Sequence, residues 1–367
     1  MLRAKNINDV YEVIAMNIYS SSVYMNDLKI VQESLIGTSK LKGKSILVTG
    51  ATGLIGSAII DLLLYANERE NLSLKIYGCG RSEDKVRNRF KHYFEGESFA
   101  FVKYDACKEI NFNFSVDYII HCASNANPIE YMTHPVETMI SNFYGMYQLL
   151  QYSKKHSVTR VLYVSSSEVY GKTSDSKPIG ESSYGYIDLL NPRSSYSIGK
   201  QSTETLCASF CHEYGSDIVI ARPGHIYGPT ATKEDSRVSS MFAYNAAYGK
   251  DIIMKSKGTQ LRSYCYCLDC ASAILTILLK GERGEAYNIS NPNSIITIFE
   301  MATMLADFGS VNLKLEDPTE LEKNRYNPML NSSLNSEKLE QLGWKGIFDA
   351  RTGLKHTVEI LREAYNI

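Results

Sequence analysis

Val48-Thr49-Gly50-Ala51-Thr52-Gly53-Leu54-Ile55-Gly56 joins an apolar run, Ser45 to Val48, to a helix-patterned run, Leu54 to Tyr65. Gly50 permits the tight turn between them. Gly53 lets a backbone approach a pyrophosphate, and Gly56 lets the helix pack close to the strand. The helix N-terminus then presents free N–H groups and a partial positive charge to phosphates. A dinucleotide is the expected ligand, with Gly50, Thr52, Gly53, Leu54, Ile55 and Gly56 as its cradle.

Outward from this turn, strand and helix patterns alternate. Strands are expected at Leu74 to Cys79, Phe99 to Tyr104, Val116 to His121, Arg160 to Ser165 and Asp217 to Ala221. Helices are expected at Asn142 to Lys155 and Ser195 to Tyr214. Strands separated by helices pair in parallel through right-handed crossovers, giving an α/β, Rossmann-type doubly wound sheet. Its ligand belongs at the carboxyl ends of the strands. Residues 43–225 form this domain, with 261–289 returning to it. Residues 226–367 are expected as a smaller substrate-binding lobe. Residues 1–42 read as a helical extension, with helical spacing from Asn8 to Met16 and from Asp27 to Leu35.

The second strand ends Gly78-Cys79-Gly80-Arg81-Ser82, without the acid that often binds the ribose hydroxyls of NAD. Arg81 can instead pair with a 2′-phosphate, which sets NADP beside NAD. Its other readings are stacking on adenine or facing solvent. Asp105, followed by Ala106, can accept a hydrogen bond from the adenine amino group or simply cap a helix.

Tyr196 and Lys200 are four apart and share one helix face. A phenol near its ordinary pKa of about 10 is a poor base at neutral pH. An ammonium beside it, and a cationic nicotinamide above it, favour phenolate. Tyr196 can then take a proton from a sugar hydroxyl as hydride leaves the carbon. Ser165-Ser166-Ser167-Glu168 ends the preceding strand, where Ser166 can bond the reacting hydroxyl.

The chain has 367 residues, 44% hydrophobic and 22% charged, with a formal net charge of −1. That composition is ordinary for a soluble protein, and its balance favours neither nucleic acid nor an anionic membrane. No apolar run is long enough to span a bilayer, and no secretory signal pattern opens the chain, so a cytoplasmic location is expected. Of the eight cysteines, Cys79, Cys107 and Cys122 read as buried small hydrophobes. Cys265, Cys267 and Cys270 lack a partner set at zinc spacing and read as a core strand entering a helix, so no metal is expected.

Taken with their neighbours, these motifs resemble the extended short-chain dehydrogenase/reductases of the nucleotide-sugar epimerase/dehydratase group. Thr49 to Gly56 is similar to that group's TGxxGxxG, His121-Cys122-Ala123-Ser124 to its HxA(A/S), and Tyr196 to Lys200 to its YxxxK. Arg222-Pro223-Gly224-His225-Ile226-Tyr227-Gly228-Pro229 is similar to its RxxxxYGP. The likeness is strongest to UDP-glucuronate decarboxylases, through Ser166 to Gly171, Asp235 to Ser240, Gln260 to Tyr266 and Tyr287 to Pro292.

The resemblance implies roles. Tyr196 is the base at C4 of the sugar and Lys200 its support. Ser166 binds the C4 oxygen, and Ser167 and Glu168 face the C5/C6 end. Arg262 binds the carboxylate or protonates C5. Arg237 lies near the diphosphate, and Asn125, Arg193 and His225 contact substrate. Cys122, Ala123, Ser124, Ser165 and Pro223 join the cofactor site. The implied substrate is a UDP-linked sugar and the implied assembly a homodimer, through the Tyr196 and Asn142 helices. Arg81, His225 and the N-terminal extension depart from the pattern. A 4,6-dehydratase and a 4-epimerase share the C4 oxidation and remain alternatives, as does a non-catalytic NAD(P) sensor or scaffold.

Overall fold

A computed structural model of the chain describes residues 17–94, 96–173, 177–319 and 329–367. The expected helix from Asn8 to Met16 lies outside the described residues. Strand β1 (Ser45–Thr49) runs through a parallel sheet of 7 strands. On one side of it lie β2 (Lys75–Gly80) and β3 (Phe99–Lys103). On the other lie β4 (Tyr118–His121), β5 (Arg160–Val164), β6 (Ile218–Pro223) and finally β10 (Ala286–Ile289). The order reverses between β1 and β4, which opens a crevice at their carboxyl ends.

Alternate residues of β1 face opposite ways. Ile46 and Val48 enter a core with α2 (Leu54–Glu70) and α8 (Cys267–Lys280). Leu47 enters a second core with α5 (Pro135–Lys155) and α6 (Ser194–Tyr214). The sheet is therefore covered on both faces, as its apolar strands require.

The second lobe is built on β7 (His225–Tyr227), β9 (Leu261–Tyr266), β11 (Ile295–Thr297) and β13 (Asn331–Ser332). A short pair, β8 (Ile252–Met254) with β12 (Leu313–Leu315), lies beside α7 (Val238–Ala247) and α9 (Ile298–Gly309). β9 pairs with β7 rather than with the seven-stranded sheet. Within 261–289, only α8 and β10 return to the main sheet.

Several boundaries differ from the sequence expectation. α5 begins at Pro135, because proline at the first helical position needs no N–H partner. α2 runs on to Glu70, where Asn71 takes a left-handed conformation at φ 50°. Cys107 and Cys122 are only partly buried, because both lie in turns beyond strand ends. Cys265, Cys267 and Cys270 are buried free thiols at the β9–α8 junction, as a core strand entering a helix demands.

The described part of the N-terminal extension packs on the body. α1 (Ser22–Glu33) starts at Ser21, whose hydroxyl accepts from Tyr24 N–H. Fully buried Asp61 of α2 accepts 2.5 Å hydrogen bonds from Tyr19 and Tyr24 and an ion pair from Arg89 of α3 (Glu83–Arg89). Buried Asp27 of α1 accepts from Tyr266 and pairs with His356 of the C-terminal helix, Ala350–Tyr365. Two carboxylates thus pin the extension at both ends.

Candidate active site

Thr49 closes the floor of the crevice. Its Oγ1 accepts the backbone N–H groups of Cys122 and Ala123, each at 3.1 Å, and lies 2.7 Å from His121 Nδ1. With both lone pairs occupied, the hydroxyl proton goes to Nδ1. Burial, and then the charge of Lys200, push His121 down to about 3, so the ring is neutral. Thr49 thereby ties the end of β1 to the turn after β4. Sequence reading included both residues in motifs but gave neither this task, since the bond spans strands.

Gly50 takes φ +70°, and a Cβ there would lie 3.0 Å from Ala123 N. At Gly56 a Cβ would lie 2.2 Å from the Gly50 carbonyl oxygen. Gly53, the N-cap, gives the helix no side-chain cap. The first N–H groups of α2, at Leu54, Ile55 and Gly56, are thus uncapped beside the partly exposed Thr52. This cradle fits a pyrophosphate. Further along the same edge, Arg81 is exposed, and Ala106 packs against Gly145 of α5. Asp105 closes its own turn: it accepts from Cys107 N–H at 3.1 Å and pairs with Lys108 at 3.7 Å. Ser124 Oγ donates to Asn142 Oδ1 at 2.9 Å, and Asn125 follows it at the rim. Ser165 is buried, and its hydroxyl has no partner among the described residues. Pro223 ends β6.

The first turns of α6 carry Arg193, Tyr196, Ser197 and Lys200. Tyr196 is buried and stacks on Tyr131 at 5.2 Å between ring centroids, with the Ser166 hydroxyl beside it. Tyr131 comes from the short helix α4 (Pro128–Thr133) and was not foreseen, because the stack is purely tertiary. Lys200 Nζ donates to Val164 O at 2.8 Å and lies 5.8 Å from the Tyr196 ring centroid. The expected depression of the phenol is not what the protein alone provides. Burial pushes Tyr196 up to about 12; the Ser166 hydroxyl opposes this, Glu168 adds to it, and Arg237 opposes it. Burial likewise pushes Lys200 down to about 7. For both groups desolvation by burial is the largest effect.

Glu168 sits in the 3-10 turn Ser167–Tyr170, whose cap Ser166 accepts Glu168 N–H at 3.2 Å. Arg193 reaches its carboxylate with both terminal nitrogens, at 3.3 and 3.4 Å, and Ser197 Oγ donates to it at 3.2 Å. Ser167 follows Ser166 in the same turn.

The opposite wall is cationic. Arg237 forms a forked ion pair with Asp235, which it holds below the usual carboxylate range despite burial. His225 is pushed down to about 3 by burial and then by the charges of Arg262 and Arg237; its buried Nδ1 has no partner among the described residues. Arg262 is only 3% exposed, and its one hydrogen bond among the described residues goes to Leu261 O, at 2.9 Å. Burial pulls its pKa down, with Tyr264 and Glu168 opposing.

The crevice therefore joins a glycine cradle, a phenol with a hydroxyl partner, and an anion-seeking wall. Residues 46–290 match the NAD dependent epimerase/dehydratase family. UDP-glucuronic acid decarboxylase 6 of Arabidopsis thaliana is 32% identical over 311 residues, spanning 84% of this chain and 86% of that protein. UDP-glucuronic acid decarboxylase 3 of the same plant is 31% identical over 324 residues, spanning 88% of this chain and 90% of that protein. The crystal structure of a dTDP-glucose 4,6-dehydratase from Streptomyces venezuelae shares the fold with a TM-score of 0.74 at 23% identity, covering 88% of this chain and 98% of that one.

Proposed function

Because the chain belongs to the NAD dependent epimerase/dehydratase family, and is an enzyme working with NAD, we propose that it decarboxylates UDP-glucuronate. The observation that carries this reading is the state of Arg262. Of the three arginines around the site, Arg193 is balanced by Glu168 and Arg237 by Asp235. Arg262 keeps a buried guanidinium with a backbone carbonyl as its described partner. A buried cation in that position favours a carboxylate, which it can bind through two parallel hydrogen bonds.

NAD, when bound, supplies the hydride acceptor and a cationic ring beside the phenol. Tyr196 takes the proton of the C4 hydroxyl, which Ser166 orients from the other side. Oxidation at C4 makes the C6 carboxylate part of a β-keto acid. Arg262 holds that carboxylate until carbon dioxide leaves, a proton is then delivered to C5, and the C4 ketone regains its hydride together with the proton that Tyr196 took. Buried Lys200, donating to Val164 O, keeps positive charge on the inner side of the phenol. Tyr131, stacked on Tyr196, keeps water from the ring.

Incubation with UDP-glucuronate and NAD, followed by mass analysis, tests the reading. Loss of carbon dioxide is expected. Loss of water would make the enzyme a 4,6-dehydratase, and unchanged mass with a new retention time a 4-epimerase. UDP-glucuronate left intact while another nucleotide sugar reacts overturns the assignment.

A second copy of the chain is the proposed partner. α5 leaves Val136, Met139, Ile140, Phe143 and Tyr147 exposed, and Tyr214 of α6 adds to the same apolar surface. Spacing of three and four residues places Val136, Met139, Ile140, Phe143 and Tyr147 on one stripe of the helix. Such a stripe calls for a covering helix pair. Sedimentation of the wild type as a dimer, and of Phe143→Glu as a monomer, is the expected result. No helix among the described residues is long and apolar enough to cross a membrane.

A further inference from the structure

The helix that carries the phenol also grips the carboxylate beside it. Arg193 lies three residues before Tyr196, and Ser197 one after it, all within the first turns of α6. Glu168 belongs to a separate element, the turn that follows β5. Its carboxylate meets Arg193 through two nitrogens and Ser197 through a hydroxyl, while its own backbone N–H is held by Ser166. Arg193 also lies over the ring of Tyr131, 5.9 Å from its centroid, and Tyr131 stacks on Tyr196. We infer that Arg193 and Ser197 are positioning residues that lock Glu168 to the helix of Tyr196 and neutralise it there. This rests on the proposed reading of the site as a C4-oxidising one.

The physical reason is charge. The groups facing the phenol are Glu168 from the turn, Arg237 from the loop before α7, Lys200 from its own helix, and the neutral Ser166 and Tyr131. Glu168 alone among the charged ones disfavours phenolate. Pairing with Arg193 cancels most of that field, and a fork from Arg193 does so in one fixed orientation. The same cancellation lets a second carboxylate, that of the substrate, enter a site already holding one.

The test follows the phenol itself. A fluorotyrosine placed at position 196 of the NAD-loaded protein is titrated by fluorine NMR. Arg193→Met should raise the midpoint on the order of one unit, the effect of an uncovered neighbouring carboxylate. In a Glu168→Gln background the same substitution should leave it unmoved. Arg193→Lys should restore most of the midpoint, and Ser197→Ala should lower kcat with a smaller shift. Equal shifts with and without Glu168, or no shift in either, overturn the inference. Because the titration needs no sugar, a failure of UDP-glucuronate to react leaves this result readable on its own.

Discussion

The first turn of α2 rests on the turn before it: a Cβ at Gly56 would stand 2.2 Å from the carbonyl oxygen of Gly50. No flexible side chain is involved, so nothing can yield except backbone. Gly56→Ala should therefore displace the helix N-terminus that faces the pyrophosphate. Overpacking of this kind costs about 1–3 kcal/mol. The expected outcome is a lower melting temperature and the loss of the further rise that NAD gives the wild type. Wild-type affinity for NAD in the variant would contradict the cradle assignment.

Tyr196→Phe removes the proton acceptor and keeps the stack on Tyr131. Turnover should fall by roughly 10²–10⁴, the usual contribution of a positioned acid or base. NAD binding, measured by calorimetry, should survive. A variant that remained active would move the chemistry to another group.

Arg262→Met keeps much of the side-chain volume but withdraws the buried charge. Its effect should fall on substrates carrying a carboxylate: kcat/KM for UDP-glucuronate should drop roughly 10- to 100-fold, matching the 1.5–3 kcal/mol of a charged hydrogen bond. Affinity for UDP-glucose, which lacks that group, should change little. Equal losses for both sugars would show that Arg262 serves another part of the ligand.

Asp61 is fully buried and serves Tyr19, Tyr24 and Arg89 at once. Asp61→Asn leaves the largely buried guanidinium of Arg89 without its counter-charge. Breaking one side of a buried pair costs about 3–5 kcal/mol. Urea unfolding should show that loss, and limited proteolysis should cut the chain earlier ahead of β1. A change within error would mean that the extension contributes little to stability.

His356 carries a pH signature. Its hydrogen bond to Asp27 raises its pKa; burial opposes, and the charge of Asp27 adds to the rise. A folded value above the unfolded one, about 6.5, means that the stabilisation is complete below that pH and fades as pH climbs through the folded value. Melting temperature should thus fall, as pH rises above about 6.5, more in the wild type than in His356→Gln. Parallel curves would remove the Asp27–His356 pair from the account.

Much of the site was legible because its signals are local. The glycines at 50, 53 and 56 must lie on one turn whatever surrounds them, and residues 196 and 200 must share a helix face. Strand identity followed from short apolar runs between helices. By contrast, the pairing of Arg193 with Glu168 and the turn that Asp105 closes with Cys107 N–H were not legible in residue spacing. Tyr131 and Thr49 received no role in advance, since their partners lie 65 and 72 residues away. The polarity of the phenol's shift also escaped the sequence, which gives the neighbours but not the depth of burial.

Taken alone, the sequence determined the doubly wound sheet, the dinucleotide turn and the phenol–ammonium pair, because backbone geometry and helical period act over a few residues. Tertiary structure decided the charge pattern: which arginine is cancelled by which carboxylate, and that Arg262 is left without one among the described residues. Electrostatic balance depends on distance and desolvation in three dimensions, and neither is written into residue spacing.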